Sequence, residues 1–272
     1  MQNQRGCQNI KRKRIYFGGI MKISIIGYGH VGKAMKQLFT SATIYDKYLN
    51  MGTQMDVNNS DVAFVCVPTP MNKIDGSCDT SAVEEVVSWL ESKCIVLRST
   101  VPVGFTNYLK TKYKKRIVFQ PEYYGETVAH PFADLKNQGW LSFGGDIEDI
   151  KVVIQAYQKV VTSEVKINIY PACEVELAKY MENAFLALKV TFCNEMYDIA
   201  KAMGVNYDMA REVWLSDPRI GRSHTFVYEN DRGYGGSCLP KDISSLKYQA
   251  DAQGADSMLI SAVIEKNKKY RK

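Results

Sequence analysis

The segment Lys22–Gly32 constrains the fold of this 272-residue chain more than any other part of the sequence. Its isoleucine-rich start predicts a buried strand, because short apolar runs of this kind are typical of sheet interiors. The run leads directly into GYGHVG, which has the spacing Gly-x-Gly-x-x-Gly. Gly27 allows a tight bend, Gly29 lets a pyrophosphate approach the backbone, and Gly32 lets the following helix pack on the strand. The segment therefore predicts a strand–turn–helix unit that binds a dinucleotide.

An acidic residue in the expected place strengthens this prediction. A second apolar run, Ala42–Tyr45, ends in Asp46, about 20 residues after Gly27, where an acceptor for a ribose 2′-hydroxyl belongs. Because a 2′-phosphate would be repelled there, the acid favours NAD over NADP. The same turn places His30 and Val31 among the expected cofactor contacts.

Strands and helices alternate beyond Asp46, which is typical of a doubly wound, Rossmann-type parallel sheet. The expected strands are Val62–Val67, Cys94–Leu97, Ile117–Phe119 and Leu141–Gly145, and helices are expected after Ser81 and from Thr106. In such sheets ligands bind beyond the carboxyl ends of the strands. The residues at or just past these ends are Gly27, Asp46, Thr69, Thr100 and Glu122.

The pattern becomes helical from about Ala172. A helical stretch of about 30 residues runs to Gly204, and further helices are expected from Asp208 and from about Ile243. We therefore expect a basic, disordered tail at residues 1–20, an NAD-binding domain at 21–170 and a helical domain with a long central helix at 171–272. Apolar residues lie on more than one face of the long helix, which predicts a homodimer built on residues 173–203.

Composition limits the partners. The net charge of +6 arises mainly from the first 20 residues, which hold five of the 35 basic residues and none of the 29 acidic ones. The remainder is nearly neutral, so no nucleic-acid-binding face is expected, and Met21 is a plausible start. No apolar run has the length of a membrane span. Seven cysteines without Cys-x-x-Cys spacing indicate a reducing, cytoplasmic location, and with three histidines no metal site is expected.

A cysteine lies in a second distinctive segment, Gly235–Asp242, which reads GGSCLPKD. The two glycines allow close approach of a ligand to the backbone. A nearby lysine favours the reactive thiolate of Cys238, and Asp242 lies one turn away if a helix begins after Pro240. An isolated cysteine of this kind is more often structural, but the dinucleotide motif favours a catalytic role.

Several motifs together resemble the UDP-glucose/GDP-mannose dehydrogenase family, and they follow one another in the family's order over residues 21–250. They are GYGHVG, VPTP at Val67–Pro70, DTSAV at Asp79–Val83, STVPVG at Ser99–Gly104, PEYYGE at Pro121–Glu126, AKYMENAFLALKVTFCNE at Ala178–Glu195, DPRIG at Asp217–Gly221 and GYGGSCLPKD at Gly233–Asp242.

The resemblance implies oxidation of the C6 primary alcohol of a nucleotide sugar, most simply UDP-glucose, to a carboxylate by two NAD. Cys238 matches the family's nucleophile, which forms a thiohemiacetal and then a thioester. The implied catalytic residues are Cys238, Lys179, Asn183, Asp242, Glu122 and Thr100. The implied cofactor contacts are Gly27, Gly29, His30, Val31, Gly32, Asp46, Thr69, Thr100, Glu126 and Lys241. The implied substrate contacts are Lys179, Asn183, Arg219, Tyr228 and Gly235.

The chain departs from the family after Cys238, because members normally continue into a second α/β domain that holds the nucleotide part of the substrate. Three alternatives therefore stay open. The chain is a compact nucleotide-sugar dehydrogenase, either by itself or with a separate chain that completes the substrate cleft. It is instead an NAD-dependent hydroxyacid-type dehydrogenase with a smaller substrate, which leaves the Gly-Gly-Ser-Cys loop unexplained. Or it is a non-catalytic NAD-binding remnant that acts as a partner protein.

Overall fold

Short runs of β-branched and aromatic residues form the strands of one sheet, as their propensities favour. The structure is a computed structural model that describes residues 21–123, 138–161 and 164–271. The strands are β1 (Ile23–Ile26), β2 (Thr43–Tyr45), β3 (Val62–Val65), β4 (Ile95–Leu97), β5 (Ile117–Phe119), β6 (Trp140–Gly144) and β7 (Lys166–Tyr170).

The strand order within the described residues is β2-β1-β3-β4-β5-β6-β7. The first five strands run parallel, with Ile25 of β1 opposite Ile44 of β2 and Phe64 of β3. β6 runs antiparallel to β5, and β7 runs parallel to β6. The carboxyl ends of β1 to β5 consequently lie along one edge, which is where a doubly wound sheet binds its ligand.

Helices separate most of these strands and dominate the C-terminal part of the chain. They are α1 (His30–Leu38), α2 (Gln54–Val57), α3 (Ser81–Trp89), α4 (Phe105–Tyr113), α5 (Ile147–Tyr157), α6 (Ala172–Ala202), α7 (Tyr207–Trp214), α8 (Leu239–Ala252) and α9 (Met258–Tyr270). Within the described ranges, no helix combines the length and the apolar character that crossing a membrane requires.

The chain groups into two compact units. The first contains the described residues up to Pro68 together with Ser81–Ser99 and Gly104–Val175, and the second contains Thr69–Thr80, Thr100–Val103 and Glu176 onward. Two strand-end segments therefore belong with the C-terminal helices although they precede them in sequence. The division at residue 170 expected from the sequence stays a prediction.

Aromatic side chains fill the core of the first unit. Phe64 is fully buried on β3, and its ring stacks on Phe39 at a centroid separation of 5.1 Å. Tyr157 at the end of α5 packs edge-on against both rings. Burying each such ring stabilises the fold by about 1.5–3 kcal/mol. In the second unit, Ala184 and Ala187 of α6 pack with Tyr234, Ile243 and Val263.

The Rossmann-type sheet followed by a long helix confirms the fold class expected from the sequence. Three details differ. β6 is antiparallel, which apolar patterning alone does not reveal. β7, which sequence patterning did not predict, alternates polar and apolar residues, as a partly exposed strand does. α8 begins at Leu239, ahead of the expected Ile243, because Pro240 fits the first turn of a helix.

Candidate functional site

The glycine turn after β1 has the shape that a dinucleotide phosphate site needs. Gly27 has a φ of +91°, and a Cβ there would lie 2.8 Å from the carbonyl oxygen of Cys66. At Gly32 a Cβ would lie 2.0 Å from the Gly27 carbonyl oxygen, so the following helix packs closely on the turn only because Gly32 lacks a side chain. At Gly29 no atom lies within 4 Å of an added Cβ. The residues present therefore leave room for a pyrophosphate and fit an NAD cofactor.

Helix α1 begins immediately after this turn. Gly29 is its N-cap, and the first helical residues are His30, which is exposed, and Val31, which is half-buried. The first N–H groups of a helix lack intrahelical partners and favour anions. The turn can thus supply backbone donors to phosphate oxygens, while contacts of the His30 and Val31 side chains with a cofactor stay predictions.

Asp46 directly follows β2 and is held by backbone donors. One carboxylate oxygen accepts from the Tyr28 N–H at 2.7 Å, and the other accepts from the N–H groups of Tyr48 and Leu49, both at 2.9 Å. Burial acts to raise the pKa of Asp46, but these three hydrogen bonds outweigh it and lower that pKa. Asp46 is therefore an anion tied to the middle residue of the glycine turn.

Glu122 follows β5 and forms an ion pair with Arg98, which follows β4. Arg98 is only 3% exposed, and its guanidinium also donates to the carbonyl oxygens of Gln120 and Pro121 at 3.3 and 3.2 Å. A buried charge needs such partners, because an unpaired one is costly. Sequence analysis missed Arg98, although a charged residue directly after an apolar strand was a usable signal.

Three of the expected catalytic side chains meet in the second unit. Lys179 and Asn183 lie one turn apart on α6, and the Lys179 ammonium donates to the Asn183 amide oxygen at 3.2 Å and to Glu182 at 3.0 Å. The Asn183 amide nitrogen donates to Asp242 on α8, and Asp242 also pairs with Lys241. We call Lys179, Asn183 and Asp242 the polar triad.

The triad is shielded from solvent: Lys179, Asn183 and Asp242 are 7%, 5% and 1% exposed. Its hydrogen bonds also fix the orientation of the Asn183 amide, since a flipped amide would place its NH₂ group against the ammonium. A buried ammonium that hydrogen bonds hold in one place is suited to stabilise an oxygen that gains negative charge during a reaction.

Cys238 lies one helical turn from the triad. It is the N-cap of α8, it is exposed, and its carbonyl oxygen accepts from the Asp242 N–H at 2.9 Å. The Ser237 hydroxyl lies 3.5 Å from its sulfur. An exposed thiol at a helix N-terminus is accessible to an electrophile, and the helix dipole there favours negative charge.

Thr69 and Thr100 belong to the two strand-end segments of this unit. The Thr69 hydroxyl donates to the Thr100 carbonyl oxygen at 2.9 Å. The Cys78 sulfur lies 3.7 Å from that same oxygen, and burial raises the pKa of its thiol. Cys78 was not expected near these residues, and a lone cysteine gave no signal for it.

Besides Lys179 and Asn183 on α6, the expected substrate residues lie in the segment between α7 and α8. Arg219 is hydrogen-bonded to Asp217 rather than to any described member of the triad, and Tyr228 is 64% exposed. Gly235 packs against Arg271, because a Cβ added at Gly235 would lie 2.2 Å from Nη2 of that arginine. Glu126 lies outside the described residues.

Together these features define a dinucleotide-binding protein of the Rossmann class with a separate helical unit that carries reactive side chains. Residues 35–138 match the NAD binding domain of the UDP-glucose/GDP-mannose dehydrogenase family, and residues 173–269 match the central domain of the same family. The chain belongs to this family. The match confirms the resemblance drawn from the motifs and the expectation of NAD as cofactor.

Individual relatives agree with this assignment. The chain is 30% identical to a UDP-glucose 6-dehydrogenase from Streptococcus pneumoniae over 242 residues, which is 83% of this chain and 59% of the relative. The chain therefore spans somewhat more than half the length of that relative.

Solved structures share the fold. A UDP-glucose dehydrogenase from Pyrobaculum islandicum aligns with a TM-score of 0.79 at 23% identity, covering 92% of this chain and 68% of its own. A 3-hydroxyisobutyrate dehydrogenase from Mycobacterium tuberculosis aligns with a TM-score of 0.70 at 14% identity, and the alignment covers 93% of this chain and 94% of that dehydrogenase. At these identities the likeness concerns the fold alone.

Proposed function

We propose that this chain is an NAD-dependent dehydrogenase that oxidises the primary alcohol of a nucleotide sugar to a carboxylate, with UDP-glucose as the expected sugar. The observation that carries the proposal is the buried polar triad one helical turn from an exposed cysteine. NAD, when bound, supplies the hydride acceptor for both oxidations. Gly27, Gly29, Gly32 and Asp46 are the residues that would hold it.

Lys179 acts on the oxygen of the substrate alcohol. Glu182 and Asn183 fix its ammonium, which supports a role as a fixed donor to the oxygen whose charge changes as the alcohol becomes a carbonyl. A preorganised donor of this kind lowers the barrier, because it does not have to reorient during the reaction. Asp242 holds Asn183 in place, and it is the carboxylate that we propose takes up a proton released in the reaction.

Cys238 supplies the covalent step. Its sulfur bonds to the aldehyde carbon, the thiol proton moves to the carbonyl oxygen, and a thiohemiacetal forms. Loss of a second hydride and a proton gives a thioester. Water then attacks the thioester carbon and the C–S bond breaks, which releases the carboxylate and restores the Cys238 thiol. Over the sequence two hydrides and three protons depart from the alcohol and one water.

Glu122 and Thr100 are the residues proposed to manage the hydrolytic water. The ion pair with Arg98 supports this role for Glu122, because it fixes a carboxylate at the end of β5. Thr69 and Lys241 stay proposed cofactor contacts, and Arg219 and Tyr228 stay proposed substrate contacts.

The hydroxyacid-type alternative has the fold likeness to the 3-hydroxyisobutyrate dehydrogenase in its favour. It assigns no task to Cys238. The non-catalytic alternative assigns none to the triad either. The nucleotide-sugar reaction is the one that uses the triad and the cysteine together.

A homodimer through α6 is part of the proposal. Five exposed apolar residues of α6, and a sixth just beyond its end, follow one another at intervals of four or seven residues and so share one face of the helix. They are Leu177, Met181, Phe185, Phe192, Ile199 and Met203. An exposed apolar stripe of this length is typical of an interaction surface. Because the helix can pack against its own copy in a symmetric arrangement, we propose a second copy of this chain as the occupant. A separate chain that completes the substrate site and a cytoplasmic location stay predictions.

NADH formation tests the proposal. The purified chain is mixed with NAD and each of a panel of UDP- and GDP-sugars, and NADH is counted per sugar consumed. Two NADH per molecule of one sugar supports the proposal. Turnover of small 3-hydroxyacids instead supports the second alternative, and NAD binding without turnover of any substrate supports the third.

A further inference from the structure

The backbone that precedes Cys238 is held by the side chains of another helix. We call residues Gly233–Cys238 the cysteine loop. Asn267 of α9 accepts from the Tyr234 N–H at 2.8 Å and donates to the Tyr234 carbonyl oxygen at 3.0 Å. The side-chain amide thus makes the two hydrogen bonds that the backbone of a neighbouring strand would make to one residue. Asn267 is only 8% exposed. Tyr234 is consequently fixed at both its N–H and its carbonyl.

Arg271, just beyond the end of α9, adds a second set of contacts. Its Nε donates to the Tyr234 carbonyl oxygen at 3.1 Å, its Nη2 lies 3.5 Å from the Gly233 carbonyl oxygen, and its Nη1 pairs with Asp231. One guanidinium thus contacts the first two residues of the cysteine loop and Asp231, which precedes it. Hydrogen bonds to a charged donor are stronger than neutral ones.

The glycines of the loop are needed for this arrangement. Gly233 has a φ of +73°, and a Cβ there would lie 2.4 Å from the Asn267 amide oxygen. Gly235 has no left-handed backbone, but a Cβ there would lie 2.2 Å from Nη2 and 2.8 Å from Cζ of Arg271. The Gly-x-Gly spacing therefore accommodates side chains of α9 from within the protein.

The opposite side of the loop is anchored to α6. The Gly233 N–H donates to the Asn194 amide oxygen at 3.1 Å, and Arg232 donates to that oxygen, to the Asn194 carbonyl and to Asp198. The loop therefore reaches Cys238 with its first residues fixed between α6 and α9.

We propose that Asn267 and Arg271 are positioning residues that hold the cysteine loop, so that Cys238 is presented at the start of α8. They act through the loop backbone rather than on the substrate. The effect on turnover rests on the proposed function, whereas the effect on the loop itself does not.

Hydrogen exchange of the full chain, without substrate, tests the loop directly. Arg271→Met should lower the protection of amides 233–239 by about tenfold, because hydrogen bonds to a charged donor are lost. Protection of the distal part of α8 should stay unchanged and serves as the internal reference. Lys268→Met removes an exposed cation of the same helix that pairs with Glu265, and it should leave the loop unaltered. Loop protection in Arg271→Met equal to that of the wild type overturns the proposal.

A second route displaces the same guanidinium without removing it. Gly235→Ala should lower the protection of the loop amides to a similar extent, since its methyl group would lie 2.2 Å from Nη2 of Arg271 and displace the guanidinium. If both changes act on one contact, the loop protection of the double variant should be within about twofold of that of the more strongly affected single variant. Effects that multiply in the double variant overturn the assignment to Arg271.

Steady-state kinetics separates positioning from general stability. Arg271→Met should lower kcat by about tenfold while the KM for NAD and the melting temperature stay close to those of the wild type. A lowered loop protection with an unchanged kcat overturns the positioning role. If the wild type oxidises no nucleotide sugar, the proposed function fails, and the exchange measurements still decide whether α9 holds the loop.

Discussion

Removing the carboxylate of Asp46 should weaken NAD binding and reduce its preference over NADP. The structure ties this carboxylate to three backbone N–H groups, one of them in the glycine turn. Asp46→Ala removes the expected acceptor of the ribose hydroxyl and releases the turn. Loss of one charge-assisted hydrogen bond costs about 1.5–3 kcal/mol, which corresponds to a rise in the Kd for NAD of about 10- to 150-fold.

The effect should depend little on pH. The pKa of Asp46 is lowered in the folded chain, so the contribution of its charge is fully present above the unfolded pKa and is lost only as pH falls through the lower folded value. Calorimetric titration with NAD should therefore give the same ratio of variant to wild-type Kd from about pH 5 to pH 9.

A matched control is Asp61→Ala. Asp61 also accepts from a backbone N–H, that of Lys22, but at the opposite, amino end of β1. This variant should keep the wild-type Kd for NAD. Equal affinity of the wild type for NAD and NADP, or an Asp46→Ala Kd within about twofold of the wild type, refutes the reasoning.

Two further predictions concern the helix α6. Lys179→Met should lower the rate of NADH formation by about 100- to 1,000-fold, as loss of a preorganised oxyanion donor does. Lys201→Met on the same helix should keep the wild-type rate, and equal rates for the two variants contradict the role of Lys179 as that donor. Phe185→Glu places a charge in the exposed apolar stripe and should shift a dimer to monomer in sedimentation at micromolar concentration. Met258→Glu on α9, also exposed, should leave the dimer intact, and a wild-type monomer contradicts the proposed assembly.

Local patterns predicted strands β1 to β5 well, because each of these strands is a short, largely apolar run. The glycine turn and Asp46 could also be located from local sequence, because their spacing is set by one turn and one βαβ unit. The antiparallel direction of β6 depends on contacts distant in sequence, so the local pattern did not reveal it.

The site was predicted less completely. Lys179, Asn183 and Asp242 came from motif resemblance, and the structure joins them through hydrogen bonds that no spacing between α6 and α8 could show. Arg271 was missed because it acts on groups that only folding brings near, whereas the position of Arg98 directly after an apolar strand was a signal that the sequence analysis did not use. Side chains that position others carry little signal in a single sequence.

The count of NADH formed per sugar by Cys238→Ser tests the central claim most directly. The first hydride transfer needs no thiol, but the thioester step does, and serine without an adjacent base is a poor nucleophile. The wild type and the control Cys173→Ser should therefore give two NADH per sugar, and Cys238→Ser should give at most one, with aldehyde released or retained. Two NADH per sugar from Cys238→Ser at nearly the wild-type rate would show that the cysteine is structural and contradict the account.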